Sequence, residues 1–317
     1  MIKFSIIMPC YNLENYINKT IEKVLKQTYK HFELVIIDDG STDNTLQIVR
    51  TYEKKDNRIV VISKENGGVS SARNYGIRKA TGEYLLFLDG DDQIENDILE
   101  RAIEVFEQKK VDMFSFGYQK TNLDGNDVIK KYSSEKYDKR VFTGVDFQNL
   151  YFSKKIFQHM CSFIIKKSIV LDNQILFDEN TKYAEDQEFQ LRCNINCKTI
   201  YYESKEYFYY IQREGSAINQ KMIRENFDVY HRMGKYLNDF SKKYYYNYLC
   251  YVFITDIREI LLKGSDKNTV EKLISMDYVF KKFSLDNTKY NIFSVFFIFC
   301  YKLFLKKSIL KKYQINL

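Results

Sequence analysis

Along the first 120 residues, short apolar runs alternate with stretches whose apolar positions recur every three or four residues. Phe4–Met8 reads as a buried strand. Between Leu13 and Gln27, the residues Ile17, Ile21, Val24 and Leu25 fall at helical spacing. Leu34–Ile37 is a second strand, followed by an acidic turn and a helix to about Lys54. Ile59–Ile62 is a third strand, followed by a Gly-Gly turn and a helix over about Ser70–Lys79. Tyr84–Leu88 is a fourth, and a helix runs from about Ile94 to Gln108. Strand and helix thus repeat four times over short connections. That alternation predicts an α/β fold, a parallel sheet with helices on both faces. In such sheets ligands bind beyond the carboxyl ends of the strands.

The pattern changes further along. Residues 122–140 are polar, with Asp124-Gly125-Asn126-Asp127 as a hairpin tip or loop. A short helix is expected over Val145–Phe152 and a strand over Phe163–Ile165. A helix opens at about Asp186, and two strands follow near Thr199–Tyr202 and Tyr207–Ile211. After Gly215 long helical stretches rich in Tyr, Phe and Leu run to about residue 280. A boundary near residue 215 separates residues 1–215 from a mainly α-helical region, 216–317.

The candidate chemistry lies in acidic turns. Asp38-Asp39-Gly40-Ser41 follows the second strand and Asp89-Gly90-Asp91-Asp92 follows the fourth. A carboxylate at a strand end accepts hydrogen bonds from a base or from ribose hydroxyls. A second one holds a hard divalent ion, whose remaining ligands are phosphate oxygens and water. In Asp-x-Asp, alternate side chains of an extended segment share one side. A third acidic pair, Glu185-Asp186, sits at a predicted helix start. Such a pair also compensates the helix dipole there.

Four segments carry a family resemblance. They are Ser5-Ile-Ile-Met-Pro-Cys-Tyr-Asn12, Val35-Ile-Ile-Asp-Asp-Gly-Ser-Thr-Asp43, Asn66-Gly-Gly-Val-Ser-Ser-Ala-Arg-Asn74 and Leu88-Asp-Gly-Asp-Asp92. In order and spacing the chain resembles the inverting family 2 glycosyltransferases over about residues 3–216. The resemblance implies a GT-A fold, with a nucleotide-sugar half over about 1–120 and an acceptor half over about 121–215. It implies that Pro9 and Tyr11 pack around the nucleotide base and that Asp39, beside Asp38, binds uracil. It implies that Arg73 supports the diphosphate, which a guanidinium suits. Asp89 then lies near the ribose and Asp91 is the ligand of Mn²⁺ or Mg²⁺. Tyr183-Ala-Glu-Asp-Gln-Glu-Phe189 is similar to the family's Glu-Asp motif, so Asp186, with Glu185 beside it, is the expected general base. Arg213 and Ser216 match a segment that closes over the diphosphate. The chain departs from several relatives there, because residues 207–216 lack a His that would be an extra metal ligand. His159 falls in the expected acceptor region.

Charge and the C-terminal sequence add a membrane question. The net charge is +7, and Lys302–Lys312 holds five Lys and no acid. Before it, residues 291–305 are strongly apolar, yet the core run 292–301 is shorter than the ~20 residues a spanning helix needs. An apolar face bordered by Lys is the composition of an interfacial anchor. A helix packed on the catalytic domain or at a homodimer interface would have the same composition. No nucleic-acid groove is indicated. The six Cys are scattered, and Cys193 with Cys197 lacks the second pair a zinc site needs, so all are expected reduced. The N-terminus has no charged leader followed by an apolar run. The expected location is cytoplasmic, at the inner face of the plasma membrane.

The resemblance implies transfer of a hexose or N-acetylhexosamine from a UDP-sugar to a saccharide acceptor, oligosaccharide or lipid-linked, in capsule or other surface polysaccharide synthesis. The alternative is a catalytically degenerate sugar-nucleotide-binding protein. A nucleotidyltransferase would need a Gly-rich basic loop after the first strand, and Met8-Pro-Cys-Tyr-Asn12 is neither.

Overall fold

Seven consecutive buried residues, Phe4–Cys10, form β1 at the centre of the sheet. Both its faces are covered, which is why it reads as an unbroken apolar run. In this computed structural model the described residues are 2–122, 127–181 and 183–212, and from 228 to 252 all but 243, 247, 250 and 251. The chain divides into two units, Met1–Glu214 and Gly215–Leu317. In the second, a helix spans Asp228–Lys235. The long helical stretch expected to about residue 280 and the apolar, Lys-flanked run 291–312 lie outside the described residues.

From β1 the chain passes through α1 (Ile17–Leu25) to β2 (Phe32–Asp38), and through α2 (Thr45–Glu53) to β3 (Ile59–Ser63). It then returns through α3 (Gly68–Lys79) to β4 (Tyr84–Phe87), on the other side of β1. These four strands are mutually parallel, in the order β3-β2-β1-β4. The reversal of direction between β2 and β4 creates a crevice beyond the end of β1. Helix α3 seats tightly under it: a Cβ on Gly76 would lie 2.4 Å from Ile7 Cγ2.

The second half adds antiparallel strands to the mostly parallel sheet and makes it mixed. β5 (Gln93–Ile94) is a two-residue strand where a helix was expected, and α4 begins only at Ile98 and runs to Lys109. Met113–Thr121, which the hydrophobic pattern leaves unassigned, forms β6. β7 (Val128–Tyr132) and β8 (Arg140–Phe142) follow, then α5 (Gly144–Phe152), β9 (Phe163–Lys166), α6 (Lys167–Asp172) and α7 (Glu185–Asn196). The two strands expected near 199–211 are one, β10 (Ile200–Ile211), with irregularities between Glu203 and Phe208 that interrupt its alternation. β9 runs antiparallel between β4 and β6. β10 is parallel to β6 and antiparallel to β5 and β8. Among the described residues all ten strands belong to one sheet.

At the end of the sheet opposite the crevice, a buried carboxylate ties three elements together. Glu33 accepts from Ser5 Oγ at 2.5 Å, Thr81 Oγ1 at 2.6 Å, the Thr81 amide at 2.5 Å and Lys3 Nζ at 3.0 Å. Burial pushes its pKa up, but the bonds from Ser5, Thr81 and Lys3 outweigh burial and hold it down at about 2. Glu33 thus stabilises the fold above its ordinary value of 4.5, and this is lost as pH falls through about 2. Glu33→Gln should cost about 3 kcal/mol at pH 7, and less than half of that at pH 3. Urea midpoints of both proteins at the two pH values check this; a gap that does not narrow in acid refutes it.

Candidate active site

The crevice is built from the loops that leave β1, β2 and β4. After β1, Tyr11 is 48% exposed and Asn12 takes a left-handed conformation, φ 52°. Asn12 Oδ1 accepts from the Thr42 amide at 2.8 Å, and its own amide donates to Ser41 Oγ at 3.1 Å. The Leu13 amide donates to Thr45 Oγ1 at 2.7 Å. The short polar residues after Asp39 therefore lace the first loop to the second. Pro9 lies inside β1, opposite Ile37 in register, and is buried.

Asp38 and Asp39 close β2 and are both buried. Asp39 holds the turn that starts α3. It accepts from the Gly68 amide at 2.7 Å, the Gly67 amide at 3.1 Å and Lys64 Nζ at 2.6 Å. These amides are unpaired donors at a helix N-terminus, where a carboxylate is favoured. Gly68 has φ 85°, a conformation that glycine adopts without strain. Asp38 Oδ2 accepts from Ser63 Oγ at 3.0 Å, while its Oδ1 is buried with no hydrogen-bond partner. Such an acceptor is what a bound N–H or O–H group satisfies.

Arg73, on α3, is only 5% exposed and gathers the acids. Its Nη2 donates to Asp89 Oδ1 at 2.8 Å, and Nη1 lies 3.8 Å from Glu185 Oε1. Its guanidinium sits 5.4 Å from the Phe177 ring centroid, and its Nε is buried without a partner. Burial opposes its charge, but Asp89 outweighs burial and keeps it protonated. Burial likewise pushes the Asp89 carboxyl up, and Arg73 pulls it below the usual range. Glu185 goes the other way. Burial, then the neighbouring Asp186, outweigh Arg73 and raise it to about 7. Glu185 and Asp186 open α7 together with Glu188, three acids in its first turn.

The site thus brings Asp89, Arg73 and Glu185 into direct contact across three elements, with Asp186 next to Glu185 on α7. Asp91 is half-buried two residues beyond Asp89. Arg213 and Ser216 lie outside the described residues. Asp89 and Asp91 offer carboxylate oxygens, the donors a hard divalent cation takes. Cys161 Sγ lies within 4.8 Å of carboxylate oxygens of Asp89 and Asp92. Burial raises its thiol well above the ordinary value. Cys10, Cys161, Cys193 and Cys197 are all free and buried; Cys250 and Cys300 lie outside the described residues.

Three contributors were not singled out from sequence. Asn74 Nδ2 donates to the Phe177 carbonyl and to Glu179 Oε1, each at 2.9 Å, and its Oδ1 accepts from the Phe177 amide at 2.9 Å. Phe177 stacks on Phe189 of α7 with centroids 4.0 Å apart. Lys64 is the third. Asn74 adjoins Arg73 in a recognised segment, so a signal was there; Phe177 and Lys64 had none. His159 lies beside the site. Its Nδ1 accepts from the Cys161 amide at 3.2 Å, and burial holds the ring neutral against the pull of Asp89 and Asp186.

Because Glu185 is raised from 4.5 to about 7, the folded state favours its protonated form. The stability from that protonation is present below pH 4.5 and is lost as pH rises through about 7. Glu185→Gln should therefore be more stable than the parent at pH 8, by on the order of 2 kcal/mol. The gain should shrink towards zero at pH 4.5. Thermal melts across this range test it, and a gain that does not depend on pH would sink it.

Comparison with known proteins fits this geometry. The model of Glycosyl transferase family 2 matches residues 5–171, which include Asp38, Asp39, Arg73, Asp89 and Asp91. The chain is 33% identical over 190 residues to the uncharacterized glycosyltransferase EpsJ of Bacillus subtilis, covering 59% of this chain and 54% of EpsJ. It is 32% identical over 229 residues to the Staphylococcus aureus poly(ribitol-phosphate) beta-N-acetylglucosaminyltransferase TarS, covering 70% of this chain and 38% of TarS. It therefore spans less than two thirds of the length of either relative. A crystal structure of S. aureus TarS 1–349 in complex with UDP-GlcNAc superposes with a TM-score of 0.71 at 27% identity, covering 85% of this chain and 79% of that one. The parallel β3-β2-β1-β4 core, the acidic turn after β4 bound to Arg73 and the family match lead to one conclusion: this chain belongs to glycosyl transferase family 2.

Proposed function

We propose that this protein moves a hexose or N-acetylhexosamine from a UDP-sugar to a saccharide acceptor, with inversion at the anomeric carbon. The observation that carries this reading is the contact of Arg73 with both Asp89 and Glu185, next to Asp186. It sets a buried cation between the acidic turn after β4 and the acidic start of α7. TarS, which is similar over most of this chain, has been crystallised with UDP-GlcNAc and with UDP, and this supports a uridine nucleotide as donor.

In this reading Tyr11 and Pro9 border the base, and Asp39, with Asp38 beside it, binds the uracil. Asp39 keeps the Gly67-Gly68 turn in place beneath it. Asp89 takes the ribose side, and the Arg73 guanidinium faces the diphosphate charge. Asp186 accepts the proton of the acceptor hydroxyl as that oxygen bonds to the anomeric carbon. The bond from this carbon to the diphosphate oxygen breaks, and UDP leaves with the electron pair. Glu185, held at about 7, adds negative charge beside Asp186 as it ionises and strengthens it as a base. A divalent cation on Asp91, Mn²⁺ or Mg²⁺, would neutralise charge on the departing diphosphate.

The relatives' names support surface polysaccharide synthesis as the setting. Among the described residues no helix is long and apolar enough to cross a membrane. The apolar, Lys-flanked composition of 291–312 supports a peripheral contact at the inner membrane face.

Purified protein with Mn²⁺ and a panel of UDP-sugars should release UDP slowly from one of them. Asp91→Ala should abolish release. Asp186→Ala should lower transfer to an acceptor by about 10²–10⁴-fold while affecting slow donor hydrolysis less. Failure of every UDP-sugar to bind or turn over would overturn the proposal.

A further inference from the structure

The sheet beside the catalytic carboxylates carries a patterned face that the reaction above does not use. The register of β7, β6 and β10 sets two rows side by side: Tyr132, Tyr118 and Phe208 in one, Lys130, Lys120 and Tyr210 in the next. Tyr118 stacks on Tyr132 with centroids 4.6 Å apart and planes 8° from parallel. His159 stacks on Phe208 at 4.9 Å and lies 5.6 Å from Tyr210. Phe208 is buried, whereas Tyr118, Tyr132, His159 and Tyr210 are half-buried and keep part of their surface in solvent. Adjacent strands are about 4.8 Å apart, so a three-strand row runs about 10 Å, room for a stretch of chain rather than one ring.

The lysines give the face its charge. Lys130 Nζ lies 4.7 Å from the Tyr132 centroid and Lys120 Nζ 5.8 Å from that of Tyr210. Among the described residues neither lysine forms a salt bridge. Among the described residues, Glu206 and Asp127 are engaged elsewhere: Glu206 accepts from Ser133 Oγ at 2.9 Å and pairs with Lys131 at 3.5 Å, and Asp127 accepts from Asn122 at 2.7 Å. The inner end of the face reaches the catalytic site. His159 is hydrogen-bonded to the Cys161 amide, and Cys161 Sγ lies within 4.8 Å of the Asp89 carboxylate.

We propose that this shelf binds the acceptor, and that the acceptor is a glycan chain carrying fixed negative charge. The half-exposed rings cover the C–H faces of sugar or polyol units, and Lys120 and Lys130 hold the anionic groups one row away. The identification of the occupant as acceptor rests on the transferase reading above. The binding chemistry does not.

Binding to the full-length protein tests it, followed by tyrosine fluorescence at low and moderate salt. The probes are an oligo(glycerol phosphate), an oligogalacturonate and neutral maltohexaose, with UDP-sugar binding measured alongside. The anionic oligomers should bind at least tenfold more tightly than maltohexaose. Salt should weaken them, and K120A/K130A should remove the advantage while leaving the thermal midpoint and UDP-sugar binding unchanged. Tyr132→Ala should weaken all three probes and Tyr132→Phe should restore them. Equal affinity for charged and neutral chains, no binding of any probe, or unchanged anion binding by K120A/K130A each overturns the proposal. Probe binding without UDP-sugar binding would defeat the transferase reading and leave the shelf standing; the reverse would defeat the shelf alone.

Discussion

A guanidinium at 5% exposure must be neutralised where it sits, and much of the site follows from that requirement on Arg73. Its partners come from parts of the chain that nothing else would bring together. Asp89 follows β4, and Glu185 opens a helix nearly a hundred residues later. Asn74, next to Arg73 on α3, clamps the Phe177 backbone on both its amide and its carbonyl. Phe177 in turn stacks on Phe189 of α7 and lies under the guanidinium. One turn of α3 thus sets the position of both the acidic loop and the acidic helix. Removing Asp89, the partner bonded directly to it, would leave the buried cation uncompensated, a larger loss than the pair contributes when intact.

The same charge divides the carboxylates into different states. Asp89, bonded directly to Arg73, is held below its ordinary range. Glu185, at a longer 3.8 Å and beside Asp186, is held above it. Environments that push neighbouring acids in opposite directions are how one site keeps an anion for binding and an adjustable group for proton transfer. The acidic end of β2 is organised differently: Asp39 spends its acceptors on the turn that begins α3 and is a structural clamp.

Much of the first half was legible in the sequence because its strands are parallel and buried on both faces. Phe4–Cys10 and Phe32–Asp38 can hide nowhere but the middle of a sheet, and the acidic turns after them fall at strand ends by the same logic. The second half was less legible. β6 mixes Ser, Gly, Gln and Lys with its aromatic residues, so no clean period marks it. β5 has two residues and is held by pairing with Phe208 and Tyr209, not by any preference of its own. The irregularities between Glu203 and Phe208 break the alternation of β10, which therefore read as two strands.

By itself, the sequence determined the α/β order, the acidic strand ends and the pairing of Glu185 with Asp186 at a helix start, since each depends on neighbours within a few residues. Only the tertiary structure decided that Arg73 joins Asp89 to Glu185, that Asn74 fixes Phe177, and that Tyr132, Tyr118 and Phe208 line up across three strands. These are contacts between residues far apart in the chain. They depend on sheet order and register, which composition and periodicity do not encode.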